Sequence, residues 1–310
     1  MATSITGGDL KLVADKAVSN VGNILLPAKS FSLGVQTSGM SKGDSTQVFV
    51  AGAAPDAEAF DVEDNNYMTD NGGDHAWKPI TLDQHIKLTF KILPHIFEKL
   101  SADSMAALYK PYVSKVADKV ISDVFAKITN ANFPTSLSVS DAGAFSKTNV
   151  SKAETELAKL VGVGGERNLV LSVEAFDALR DSLTGIYATP TNNEVLRNGT
   201  IPGLGGFANI LRTTAIKPGT GTYMFGMATN MSGIALATAA VRQVPQFDGE
   251  VEVAVDSDGA GNGTGIPLTF SVDYSKETRA FVATVEILYG IAVLDKKGIL
   301  RLTTTASAGA

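Results

Sequence analysis

Residues 42–50, KGDSTQVFV, and residues 84–92, QHIKLTFKI, bracket the segment on whose reading the fold depends. In the first run Val48 and Val50 alternate with Gln47 and Phe49, which predicts a strand. In the second, Ile86, Leu88, Phe90 and Ile92 share one face while His85, Lys87, Thr89 and Lys91 share the other. That period of two marks a half-buried strand, read as the counterpart of the first. Between them lies an excursion over roughly 51–81 with little apolar content, and loops of that length inside compact domains usually serve a contact. Its middle, residues 56–77, reads DAEAFDVEDNNYMTDNGGDHAW. It contains Asp56, Glu58, Asp61, Glu63, Asp64, Asp70 and Asp74, with no lysine or arginine.

The charge of the whole chain takes its meaning from this stretch. There are 26 basic and 32 acidic residues, a formal net charge of −6. The loop alone carries −7, so subtracting it from the total leaves the remaining chain at +1. A near-neutral body lacks the electrostatic signature of a protein that wraps nucleic acid. With 310 residues, 44% hydrophobic and 19% charged, the chain is globular and exceeds the size at which one core keeps growing. Two interleaved domains are expected. The absence of cysteine excludes disulfides, thiolate metal sites and a cysteine nucleophile, and three histidines leave little material for zinc or acid–base chemistry.

Upstream of the loop, Leu10, Val13, Ala17 and Val21 form one helical stripe, with Ala14 and Val18 beside it. Pro27 and a Ser/Gly-rich segment end that helix. The first residues show no basic stretch followed by an apolar one, so no secretory signal is expected. Downstream, a long helix is predicted over 102–129, with Leu108, Tyr112, Val116, Val120, Val124 and Ile128 at four-residue steps. Pro111 should kink it or divide it. Ser151 and Glu154 suggest a capping box before a helix to Val161. Residues 168–171 read as a strand, and Ser172 as the cap of a helix ending near Gly185. Residues 207–213 and 223–227 read as strands, and 231–241 as an Ala-rich helix. The uncharged run 223–241 carries too many polar residues to cross a membrane. The final seventy residues are β-rich, with strands over 251–255, 268–274, 281–288 and 299–303. The class is α+β.

No constellation assigns catalysis or a cofactor. Gly39–Gly43 matches G-x-S-x-G around Ser41, but a strand follows where that elbow needs a helix. His75, His85 and His95 recur every ten residues without predicted convergence. Asp256, Asp258 and Asn262 offer oxygens at calcium-loop spacing but lack the closing glutamate, as a Gly-rich hairpin tip also would. No phosphate-binding glycine motif is present.

The order of elements resembles the major capsid proteins of tailed bacteriophages, the Hong-Kong-97-type fold. KGDSTQVFV (42–50) looks like the strand leading into that family's extended loop, and PITLDQH (79–85) like its return. IPGLGGF (201–207) is similar to the glycine-rich approach to a strand. Residues 225–241 look like the small-residue helix of the capsomer-centre domain, and YGIAVL (289–294) with 298–302 like the closing strands. The resemblance implies an N-terminal arm over 1–41, an extended β-hairpin loop over 42–92, and a tail over 305–310. It also implies a peripheral domain over 93–150 and 244–288 with a spine helix over 102–129, and an axial domain over 151–243 and 289–304.

By the same resemblance the chain would be a structural subunit, not an enzyme. It would assemble with itself into pentamers and hexamers of an icosahedral shell around phage double-stranded DNA. A separate scaffolding protein and a portal would assist assembly in the bacterial cytoplasm, DNA would be touched only non-specifically, and no membrane would be involved. The loop tip lacks a lysine, so self-crosslinking by that route is not expected. The charge count adds an expectation of its own: the acidic tip should dock on a basic surface of a neighbour, including Lys110, Lys115 or Lys119, or recruit divalent cations. An encapsulin-type bacterial nanocompartment shell is the nearest alternative. A calcium-binding β-rich surface module, built on the Asp256 loop, is the alternative of a different class.

Overall fold

The computed structural model of the protein describes residues 7–19, 22–50, 76–162, 165–184, 201, 203–217, 219, 221–243, 249–257 and 263–305. Helix α1 (Gly7–Ser19) buries Leu10, Val13, Ala14, Ala17 and Val18, the predicted stripe. Val21 lies outside the described residues. A short helix α2 (Gly22–Leu25) and a 3-10 turn (Leu26–Ser30) containing Pro27 lead into a strand, β1 (Phe31–Met40). The sequence reading had only a Ser/Gly-rich break there. The small residues serve proximity: a Cβ on Gly34 would lie 2.5 Å from Cγ2 of Val48, in the strand that crosses above it.

That crossing strand, β2 (Ser45–Val50), pairs antiparallel with β3 (Ala76–Thr81), placing Phe49 opposite Trp77 and Thr46 opposite Ile80. The alternating run β4 (Gln84–Ile92) is therefore not the counterpart of β2. It pairs along β12 (Ala280–Val293), with Lys87 opposite Glu286 and Phe90 opposite Ala283. Period two identified both strands, but pairing was set by the short link Leu82–Asp83, which is long enough only to turn from hairpin to sheet.

After α3 (Pro94–Phe97), helix α4 (Ala102–Ala126) starts at Ser101, whose hydroxyl accepts from the Ser104 amide at 3.3 Å. It runs without interruption through Pro111, which forgoes one backbone bond to Ala107. Its buried stripe is Met105, Tyr109, Val113, Val116, Val120 and Val124. In the first half this sits one residue round from the predicted stripe, which leaves Leu108 exposed.

Two sheets follow. The six-stranded sheet has the order β1, β9 (Met231–Val241), β12, β11 (Pro267–Ser275), β10 (Glu250–Val255), and β4 continues the edge of β12 beyond β9. Helices α1 and α4 cover one face of it through Phe270, Val285, Ile287 and Tyr289. The five-stranded sheet has the order β5 (Ser136–Val139), β13 (Ile299–Thr304), β8 (Met224–Thr229), β6 (Asn168–Ser172), β7 (Asn209–Thr213). Helices α5 (Lys147–Val161) and α6 (Val173–Thr184) pack on it around Phe145, Leu157, Leu179 and Phe225. The Ser172 hydroxyl accepts from the Ala175 amide at 3.3 Å, as a cap should. Ser151 and Glu154, by contrast, lie inside α5 and cap nothing.

Residues 231–241 are a strand, not a helix. Ala has high helix propensity, but here both faces are occupied. Ile234 and Leu236 face the α4 core, while Ala235, Ala237 and Ala239 face the β2–β3 hairpin. Small side chains let the hairpin lie close, and tertiary packing overrides propensity. Residues 231–241 and 289–293, grouped with the axial segment in the sequence reading, run in the six-stranded sheet.

Two phenols clamp α4 to this sheet. Tyr109 donates to the Ser271 carbonyl at 3.3 Å, and Tyr289 donates to Oδ2 of Asp123 at 2.5 Å. Burial pushes both hydroxyls far above the ordinary tyrosine range, and for Tyr289 the Asp123 carboxylate pushes the same way. An unfolded chain ionises near pH 10 while the folded chain keeps both protons. Stability should thus be full below about pH 10 and fall above it, by about 1.4 kcal/mol per pH unit for each phenol. In a spectrophotometric titration, two of the seven tyrosines are expected to ionise only as the protein unfolds. Seven ionising together near pH 10 in folded protein would contradict this.

Candidate assembly surfaces

The feature that stands furthest from a self-contained subunit is the β2–β3 hairpin. Its root is built tightly. The Ser41 amide donates to Oδ2 of Asp44 at 2.8 Å, Gly43 takes a positive φ of 99°, and the Leu82 amide donates to the Asp44 carbonyl at 2.8 Å. Ser41 therefore shapes a strand-to-strand turn, not a nucleophile elbow. Val48, Ile80 and Leu82 are buried against Ala235, Ala237, Ala239 and Leu288. On the opposite side of the same strands, Phe49 is 48% exposed and Trp77 63% exposed. Their rings meet edge to face, with centroids 5.4 Å apart. An aromatic pair this exposed on a firmly seated stem is typical of a docking surface. Asp56, Glu58, Asp61, Glu63, Asp64, Asp70, Asp74 and His75 lie outside the described residues.

The hairpin covers one end of the outer sheet face. The register places His85, Lys87, Thr89 and Lys91 of β4 beside Val282, Thr284 and Glu286 of β12, then Asp273 of β11, on the rest of that face, where the four β4 side chains are exposed. His85 Nε2 lies 2.9 Å from Glu286 Oε2, and the hydroxyls of Thr89 and Thr284 lie 3.1 Å apart. This face is basic along β4. Lys110, Lys115 and Lys119 are also exposed, on α4. They do not form one patch: Lys110 and Lys115 are turned roughly 140° apart on the helix, and Lys119 pairs with Asp123 at 2.6 Å. Leu93, Ile96 and Tyr274 are further large apolar side chains that stand exposed, unanticipated from the residue pattern. Tyr274 meets Phe281 edge to face with centroids 5.3 Å apart, and Phe281 stacks on Phe97 with centroids 3.8 Å apart. Residues from a four-residue helix and two strand ends share no single period that would reveal such a cluster.

The calcium candidate resolves differently at its one described member. Asp256 is 3% exposed, and its Oδ2 accepts from the Thr264 amide at 2.9 Å and the Thr264 hydroxyl at 2.6 Å. Asp258 and Asn262 lie outside the described residues. Among the described residues no group of three metal-ligating side chains occurs, and no helix is long and apolar enough to cross a membrane. Asp256 thus has a structural task, closing the connection between β10 and β11. Asp256→Ala strands two buried donors and should cost about 2 kcal/mol. Thermal melts should show that loss equally with calcium and with a chelator; a loss confined to calcium-containing buffer would restore the ion-binding reading.

No family model matches the sequence, and no curated protein matches it. Solved structures are similar. A chain from Mycobacterium phage Che8 is 18% identical with a TM-score of 0.51, over 84% of this chain and 85% of that one. A chain of the capsid of Cyanophage P-SCSP1u is 13% identical with a TM-score of 0.51, over 90% and 88%. A chain of the capsid of an empty GTA particle is 13% identical with a TM-score of 0.53, over 91% and 90%. At such identities the likeness is one of fold. The α+β chain, with its long helix, two sheets and the hairpin seated on one of them, has the fold of phage capsid proteins.

Proposed function

We propose that this chain is the major capsid protein of a tailed phage, assembling into pentamers and hexamers of an icosahedral shell that encloses double-stranded DNA. What carries the reading is the fold likeness to capsid chains over about nine-tenths of both lengths. The exposed aromatic hairpin supports it, since Phe49 and Trp77 leave much of their ring surface in water in the isolated chain. The six-stranded sheet with α4 corresponds to a peripheral unit, and the five-stranded sheet with α5 and α6 to an axial unit. Shell assembly catalyses nothing. It buries weak contacts that symmetry repeats. A scaffolding protein and a portal are the proposed partners during assembly in the host, with DNA touched non-specifically.

In this reading the hairpin lies on a neighbouring copy, its acidic tip against basic side chains. Lys110, Lys115 and Lys119 remain candidates, and Lys87 and Lys91 on the open sheet face add a second basic strip. The test is the triple variant D61N/E63Q/D64N, three charges fewer at the tip. Light scattering should show slower, less complete assembly and a weaker dependence on salt, because screening acts over about 8–10 Å at physiological ionic strength. Assembly and salt response equal to the parent's would exclude the electrostatic docking.

A further inference from the structure

The chain crosses between the two sheets at residue 230, from β8 to β9, and again at 294–298, from β12 to β13. The two crossings are fused side by side. The Thr229 hydroxyl donates to the Gly298 carbonyl at 2.9 Å, the Asn230 amide to the same carbonyl at 3.3 Å, and the Leu294 amide to the Gly233 carbonyl at 2.9 Å. Asn230 Oδ1 accepts from both the amide and the hydroxyl of Ser232, at 3.2 and 2.7 Å. Contact is so close that a Cβ on Gly298 would lie 2.5 Å from the Gly233 nitrogen, and one on Gly233 would lie 2.5 Å from Cγ1 of Ile299. At the centre, Met231 holds a φ of +72°, one of two non-glycine residues with positive φ among those described. Its carbonyl is gripped by the Ser32 hydroxyl at 2.8 Å, and its amide donates to the Thr229 hydroxyl at 3.1 Å.

Left-handed backbone at a side-chain-bearing residue persists only where surrounding bonds over-determine it. Here those bonds come from both crossings and from β1. A flexible linker would need neither the glycine pair nor the forced methionine. We infer that residues 229–233 and 294–298 form one rigid joint that fixes the angle between the two sheets, with Met231 as its strained pin. If the shell reading holds, that angle sets the curvature each subunit imposes, a consequence that rests on the proposed function; the joint itself does not.

The test uses G298A, which wedges the crossings apart, and T229V, which removes the hydroxyl that joins the Gly298 carbonyl to the Met231 amide without adding bulk. Hydrogen exchange on the purified full chain should show amide protection at Asn230 and Leu294 falling about tenfold or more, with Val170 and Phe270 in the two sheets little changed. Small-angle scattering of the unassembled chain should broaden in both variants, and any particles should vary in diameter. Unchanged scattering and diameter despite the lost protection would overturn the inference, as would protection lost equally across both sheets. Should G298A not fold, T229V alone decides by the same two readouts. If no particles form even from the parent chain, the shell reading fails while scattering and exchange still judge the joint.

Discussion

Gly290→Val is expected to unseat the hairpin and abolish assembly. Gly290 lies in β12 opposite Ala237, directly beneath the turn from β3 to β4. A Cβ built there would sit 2.0 Å from the Thr81 carbonyl oxygen and 3.2 Å from Cγ2 of Ile80. The obstacle is backbone, which cannot rotate away as a side chain would. Either the hairpin root lifts or β12 shifts within a sheet buried by α4 on its other face. Overpacking typically costs 1–3 kcal/mol, and a backbone clash should put this variant at about 3 kcal/mol or more. Lifting the root would also expose Val48, Ile80 and Leu82. Gly290→Ala should show the same defects more weakly. The checks are a thermal melt and limited proteolysis of the hairpin. A parental melting temperature with parental assembly would mean that the hairpin is not seated as described.

The double variant F49S/W77S should have the opposite profile, with stability kept and assembly lost. Both rings are largely exposed in the isolated chain, and their contact with each other is worth about 1 kcal/mol. On a neighbour they would act as buried aromatic anchors, and losing such an anchor typically costs 2 kcal/mol or more. That is about a 30-fold rise in the concentration needed for assembly. Trp77 is the only tryptophan, so its emission in the parent chain should shift to the blue as particles form. Emission that stays at the solvent-exposed wavelength in assembled material would place the hairpin outside the contact.

Much of this architecture was legible in the residue pattern. The α1 stripe, the Ser172 cap, the alternation in β4 and the β-branched runs of β10 to β13 all read correctly, because in each the local residue type or period agrees with the element formed. Residues 231–241 are covered on both faces, so their small side chains answer to the hairpin above and α4 below and not to helix propensity. Gly34 looked like part of a break, yet its missing side chain is what allows β2 to cross. The pairing of β2 with β3 instead of β4 depended on chain connectivity, which periodicity does not encode.

The charge reading was sharpened in a similar way. Lys110, Lys115 and Lys119 are close in sequence but diverge around α4, and Lys119 already has Asp123 as a partner. Lys87 and Lys91, two residues apart on a strand, share one face of an open sheet. A strand aligns charges at alternate positions, whereas a helix separates those five apart.

The most direct test of the central claim is negative-stain electron microscopy of the purified chain, alongside sedimentation under the same conditions. The account predicts closed, roughly isometric shells or their pentameric and hexameric capsomers, in equilibrium with a 32.3 kDa subunit. A chain that stays monomeric at every concentration and salt tested, with or without a co-expressed scaffolding protein, would contradict it.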